Sequence, residues 1–243
     1  MKVKHKILMI GIALLLFNSC DDDSTLEPPS NRIMALGASR VEGNRPEFES
    51  FRYELWKDLI ENDWTFDFIG TRSDDASYPA FNNKNFDNDH EGRGGWTSEQ
   101  ILDGINDWLD QTGSPDIVLF STPGGNDILE GLDYNQAISN INAIIDVLQA
   151  KNPNATIIIE QPAQIRSALM IAVPAYKDAF ERIQQDIVTI ATEQSTASSQ
   201  VILVDMYTGF SDSLLADLVH YNEAGAEFIA TRYYNVLVNV LEK

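Results

Sequence analysis

From Arg32 onward, short runs of aliphatic and β-branched residues alternate with amphipathic stretches, and this alternation restricts the fold more than any other feature of the chain. Ile33 to Leu36 reads as a strand ending at Gly37, Thr65 to Gly70 as a second and Asp116 to Ser121 as a third. Thr156 to Glu160 and Val201 to Asp205 repeat the pattern. Between them, Phe51, Leu55 and Leu59 recur at helical spacing, and Thr97 with Gln100 fits a capping box for a helix buried through Ile101, Ile105 and Trp108. Ile138, Ile141, Ile145 and Leu148 mark another helix, and two more are expected around Tyr176 to Thr192 and from Glu223 to Leu241. Strands apolar along their whole length are buried on both faces. The pattern therefore predicts an α/β fold, a three-layer α/β/α sandwich of flavodoxin-like type with a central parallel sheet. One domain over residues 32–243 accounts for the whole pattern.

The N-terminus has a different character. Lys2, Lys4 and Lys6 precede an unbroken apolar run from Ile7 to Phe17, the layout of a secretory signal peptide, and the run is shorter than the roughly 20 residues a membrane span needs. It ends in Leu16-Phe17-Asn18-Ser19-Cys20, which resembles a bacterial lipoprotein cleavage box, with Phe17 and Asn18 departing from its strict form. The expectation is a signal peptide over residues 1–19, lipidation at Cys20 and a solvated tether over residues 20–31, so that the domain is an exported lipoprotein of the outer membrane or cell surface, held to the membrane through that lipid alone. An uncleaved anchor is the alternative reading of the same run, and it also exports the domain.

Composition narrows the chemistry. A formal charge of −20, spread along the chain rather than gathered in a tail, disfavours nucleic acid and anionic membranes as partners. Cys20 is the single cysteine, which rules out disulfides and cysteine-based zinc sites within the domain. Of the three histidines, His5 lies in the presequence, so a histidine-dependent mechanism must use His90 or His220.

Ligands of open α/β sheets bind beyond the carboxyl ends of the strands, and four stretches of interest follow strands or loops at that edge. Gly37-Ala38-Ser39 places a serine after the first strand, where it can be a nucleophile or simply a helix cap. Asp217 precedes His220 by three residues, so it can accept the imidazole Nδ1 proton and leave Nε2 free to take a proton from a serine; the bland alternative is a surface histidine at the start of the last helix. Gly94-Gly95-Trp96 and Gly124-Gly125-Asn126 offer backbone N–H groups and an amide suited to a developing oxyanion, or else tight turns and a cap. The loop from Thr71 to Gly95 is long and polar, as functional loops often are.

In this chain order, Ser, Gly, Asn and His resemble the four blocks of the SGNH or GDSL-type hydrolase superfamily, from Ile33 to the C-terminus. Within it, Ile33 to Gly43, Phe51 to Gly70, His90 to Ser98 and Pro115 to Ile128 are similar to carbohydrate esterases of the acetylxylan esterase group. The resemblance implies Ser39 as nucleophile, Asp217 and His220 as the rest of a triad, and Gly95 and Asn126 as oxyanion donors, acting in two-step acyl transfer with no metal or organic cofactor. Ala38 stands where the family usually has Asp, Gly125 where Thr is common and Tyr221 where Pro is common. His90 has no carboxylate three residues before it and is expected as a loop or cleft-wall residue; of Trp64, Trp96 and Trp108, Trp96 is the one expected to line the site.

The substrate implied is an acetylated carbohydrate or another small ester. A lipase on long acyl chains uses the same machinery, and a glycan-binding lipoprotein of weak activity would keep the fold. An α/β-hydrolase is disfavoured, since no Gly-x-Ser-x-Gly elbow occurs.

Overall fold

The computed structural model describes residues 31–242, so the expected signal peptide, Cys20 and all of the tether but Asn31 lie outside the described residues. The domain is built on a parallel sheet in the order β2-β1-β4-β5-β6, with β3 also pairing β1. The strands are β1 (Arg32–Gly37), β2 (Asp67–Phe68), β3 (Glu91–Gly92), β4 (Ile117–Phe120), β5 (Thr156–Gln161) and β6 (Val201–Asp205). Side chains alternate along each central strand. Ile33, Ala35, Ile117, Leu119 and Ile158 enter one core, and Met34, Leu36, Val118, Phe120, Ile157 and Ile159 enter the other.

Two helices, α2 (Arg52–Glu61) and α8 (Glu223–Leu237), cover the first face through Leu55, Leu59, Ile229 and Tyr233. On the second face lie α3 (Ser98–Thr112), α5 (Tyr134–Lys151) and α7 (Pro174–Gln194), packed through Ile105, Ile141, Ile145 and Ile187. This is the three-layer sandwich the alternation predicts, because the longer strands β1, β4, β5 and β6 are apolar on both faces and need helices on each.

Differences from the sequence reading are local. The second strand keeps only two of the six expected residues, since β2 pairs just the start of β1, Arg32 with Asp67 and Ile33 with Phe68. β3 then pairs the end of the same edge, Leu36 with Glu91 and Gly37 with Gly92, so one edge of β1 is shared by two short strands. The loop from Thr71 to Gly95 is thus structured, closed at its base by paired Arg72 and His90 backbones. Three short helices, α1 (Ser39–Glu42), α4 (Gly125–Leu129) and α6 (Ser167–Ala172), lack the length to show a hydrophobic period. Finally, α8 stops at Leu237 rather than Leu241, and Glu242 donates to and accepts from the Asn31 side chain at 2.7 Å each.

Candidate active site

The sheet edge at the carboxyl ends of β1, β3 and β4 gathers the residues singled out above. Ser39 opens α1 directly after β1, where the turn is closed by the Val41 and Glu42 N–H groups donating to the Ala38 carbonyl at 3.1 and 3.0 Å. The position the family usually fills with Asp therefore holds its turn by backbone alone. The Ala38 methyl has no hydrogen-bonding group with which to cap α1.

His220 Nε2 lies 2.9 Å from Ser39 Oγ, and its Nδ1 lies 2.7 Å from Asp217 Oδ2. A carboxylate can only accept, so Nδ1 carries the proton and Nε2 is left to accept from the serine hydroxyl. Asp217 Oδ1 also accepts from the Val219 and His220 N–H groups at 2.8 and 2.7 Å, which folds residues 217–220 into one tight turn. Burial alone would raise the Asp217 carboxyl. The hydrogen bonds from the His220 ring, the His220 and Val219 amides and the His220 charge outweigh it and hold the group below the usual carboxylate value.

That turn is braced from both sides. Arg166 donates to the Asp217 and Leu215 carbonyls at 2.7 and 3.1 Å, and Asn222 caps α8 by accepting from Gly225 N–H at 2.9 Å. Arg40, next to Ser39 and buried, donates to the carbonyls of Val219, Ala163 and Gln164 at 2.9, 2.8 and 3.2 Å, with its guanidinium 4.7 Å from the Tyr221 ring. One side chain thus ties the serine turn to the histidine turn. Sequence reasoning missed Arg40, although its place beside Ser39 was a usable signal.

Gly95 and Asn126 face the same cleft as Ser39 and His220. The backbone of Gly95 sits at φ +78°, a region that favours glycine, and no atom would meet an added Cβ. Gly92 permits the approach, since a Cβ there would lie 2.3 Å from the Glu42 backbone nitrogen of α1. Asn126 Nδ2 donates one hydrogen to the Trp96 carbonyl at 2.8 Å, which leaves its second N–H for a ligand. Among the described residues, no hydrogen bond occupies the N–H of Ser39 or of Gly95. Asp127 locks the two loops together by accepting from Ser98 N–H at 2.9 Å and from its hydroxyl at 2.6 Å.

Beneath the site lies a buried carboxylate that the sequence reading passed over. Glu160 is 0% exposed, and its Oε2 accepts from the Thr122 N–H at 2.7 Å and hydroxyl at 3.1 Å. Thr122 sits at φ +46°, costly for a β-branched residue, at the head of the turn that delivers Asn126. Desolvation raises the Glu160 carboxyl above its ordinary value, against the Tyr233 hydroxyl, the Thr122 amide and Arg40.

His90 borders the groove as expected but is almost wholly buried in its wall, at 1% exposure, and its Nδ1 accepts from Gly92 N–H at 2.9 Å. Burial, with Arg52, Arg72 and Arg93 nearby, lowers its pKa to about 2. In the unfolded chain an imidazole titrates near about 6.5. Between those values the unfolded state holds a proton that the folded state refuses, so stability rises with pH across that window, by up to ~1.4 kcal/mol per unit from this residue. We expect His90→Gln to show a flatter loss of stability than the wild type between pH 6.5 and 4 in urea unfolding. Equal slopes would mean that the folded state protonates His90.

The cleft has two compartments. A small cavity of about 40 Å³ lies beside Ser39, walled by Trp96, Ile101, Phe120, Ile165, Phe180 and Val219. An open groove of about 820 Å³ runs from Ser39 and His220 past Asn44, Arg72, Asp75 and Tyr78. Trp96 is half-buried and lines the small cavity, whereas Trp108 is buried in the core and Trp64 packs partly against the opposite one.

The family model described as GDSL-like lipase/acylhydrolase matches residues 36–228, from the end of β1 into α8. The chain belongs to that family. Among solved structures, this acylhydrolase is similar to a family 3 carbohydrate esterase from Talaromyces cellulolyticus, at 26% identity and a TM-score of 0.72 over 86% of this chain and 97% of the other. A family 3 carbohydrate esterase from Clostridium thermocellum matches at 28% identity and a TM-score of 0.69, over 86% and 96%. A protein described as a possible acylhydrolase from Bacteroides fragilis shares the fold at 16% identity and a TM-score of 0.59, over 87% and 88%. No curated protein matches the chain. The family and these carbohydrate esterase neighbours support esterase activity for the chain.

Proposed function

We propose that this acylhydrolase is a serine esterase that removes acetyl groups from the hydroxyls of a carbohydrate. The reading is carried by the Asp217-His220-Ser39 hydrogen-bond chain, which opens on a small, mainly apolar cavity to one side and a wide groove of mixed polar and apolar lining to the other. Ser39 Oγ attacks the ester carbonyl carbon while His220 Nε2 takes its proton, and Asp217 steadies the imidazolium that forms. The N–H groups of Ser39 and Gly95 and the free hydrogen of the Asn126 amide receive the oxyanion. Collapse returns the proton from His220 to the departing alcohol, leaving acetyl on Ser39. Water, deprotonated by the same nitrogen, then releases acetate and restores the serine.

The cavity sizes support the acyl preference. About 40 Å³ holds some three water-sized groups at 10–15 Å³ each, room for a short acyl chain and none for an octanoyl one. Each further methylene left unburied forgoes ~0.8 kcal/mol, and one that clashes loses more. The alcohol occupies the larger groove, whose Arg72, Asp75 and Asn44 suit a hydroxyl-rich partner.

We expect p-nitrophenyl acetate to be cleaved with higher kcat/KM than the butyrate, the octanoate to be nearly inert, and acetylated oligosaccharides to release acetate. A kcat/KM maximum at octanoate or longer would replace this reading with a lipase. We also propose export as a Cys20-anchored lipoprotein, supported by the charged and apolar N-terminal segments and the Leu16 to Cys20 box.

A further inference from the structure

We propose that Phe48 is a positioning residue for this reaction, holding the His220 imidazole in the plane from which Nε2 faces Ser39. The proposal rests on His220 being the general base. The two rings stack nearly parallel, with centroids 3.8 Å apart and planes 12° from one another.

The contact matters because the ring's hydrogen bonds, at Nδ1 with Asp217 and at Nε2 with Ser39 Oγ, are edge contacts that leave its faces unheld. Asp217 touches the imidazole at one atom, and its side chain is 50% exposed while that of His220 is 19% exposed. A pair so open to water is screened and orders its partners little. Once Ser39 is acylated its oxygen no longer donates to Nε2, and the hydrogen bond at Nδ1 alone then leaves the ring free to swing about that contact. A flat surface against one face of the imidazole blocks that swing.

Phe48 is itself held in place. Asn44 and Phe48 exchange backbone hydrogen bonds of 3.1 and 3.2 Å, and Arg45 pairs with Glu49 at 3.2 Å. Glu49 N–H donates to the Tyr221 carbonyl at 2.9 Å, in an antiparallel bridge. Glu49 follows Phe48 and Tyr221 follows His220, so the bridge fixes the two stacked residues relative to each other. When the serine proton arrives, the ring becomes a cation over an aromatic face, and the contact strengthens as the transition state forms.

Phe48→Leu keeps an apolar side chain but removes the flat face, whereas Phe48→Tyr keeps it. We expect Phe48→Leu to lower kcat for p-nitrophenyl acetate by about 10- to 100-fold with little change in KM, and Phe48→Tyr to retain near wild-type turnover. An activity-free readout accompanies this. The carbon-bound ring protons of His220 should be shifted upfield by the Phe48 ring current in the wild type and in Phe48→Tyr, and should move back downfield in Phe48→Leu, whose other resonances report whether it is folded. Unchanged kcat in Phe48→Leu, or a Phe48→Tyr as impaired as Phe48→Leu, overturns the positioning role. A wild type without the upfield shift overturns the stack. A wild type that shows the shift but hydrolyses no ester overturns the esterase reading on which the proposal stands.

Discussion

His220→Ala is expected to lower kcat for p-nitrophenyl acetate by roughly 10⁵- to 10⁶-fold, with Ser39→Ala costing about as much because the two act as a unit. The size of the loss follows from the geometry. Ser39 Oγ has His220 Nε2 at 2.9 Å, and the other imidazole among the described residues, His90, is 1% exposed, has its Nδ1 engaged by Gly92 N–H and its pKa lowered to about 2. His90→Gln should therefore lose stability rather than turnover. Steady-state kinetics of the three variants check this. Near wild-type kcat in His220→Ala would remove the general base from the account.

Asn126→Ala should cost about 10²- to 10³-fold in kcat, or roughly 3 to 4 kcal/mol of transition-state stabilisation, the usual effect of deleting one oxyanion donor. The N–H groups of Ser39 and Gly95 remain in the variant, so activity falls without vanishing. Asn126 also donates to the Trp96 carbonyl, beside the small cavity. Measuring KM separates the two roles. A loss confined to KM would mean that Asn126 shapes the acyl cavity instead of stabilising the oxyanion.

The fold was legible where burial imposes a period. β1, β4, β5 and β6 are apolar on both faces, and α3, α5 and α7 carry stripes long enough to register, so the layered sheet follows from the chain itself. β3 was not legible, because two residues pairing through their backbone leave no pattern in side chains. Ser39, Gly95, Asn126, Asp217 and His220 stood out by type, order and family resemblance, and the structure brings them to one sheet edge. The supporting groups did not stand out. Arg40 and Glu160 act through contacts with residues 123 and 38 positions away, and Phe48 through a ring on the far side of the domain's sequence, separations that no local spacing encodes. The departures from the family pattern also find places here. Ala38 leaves its turn to backbone bonds, and Tyr221 places its ring beside Arg40.

The central claim is that Ser39 is the acylated nucleophile, and covalent capture tests it most directly. The protein would be incubated with a fluorophosphonate, which phosphonylates an activated serine, and then analysed by intact and peptide mass spectrometry. We expect one adduct per chain, on the peptide bearing Ser39, with stoichiometric loss of p-nitrophenyl acetate hydrolysis and no adduct on Ser39→Ala. An adduct on another residue, or full hydrolysis by Ser39→Ala, would contradict the account.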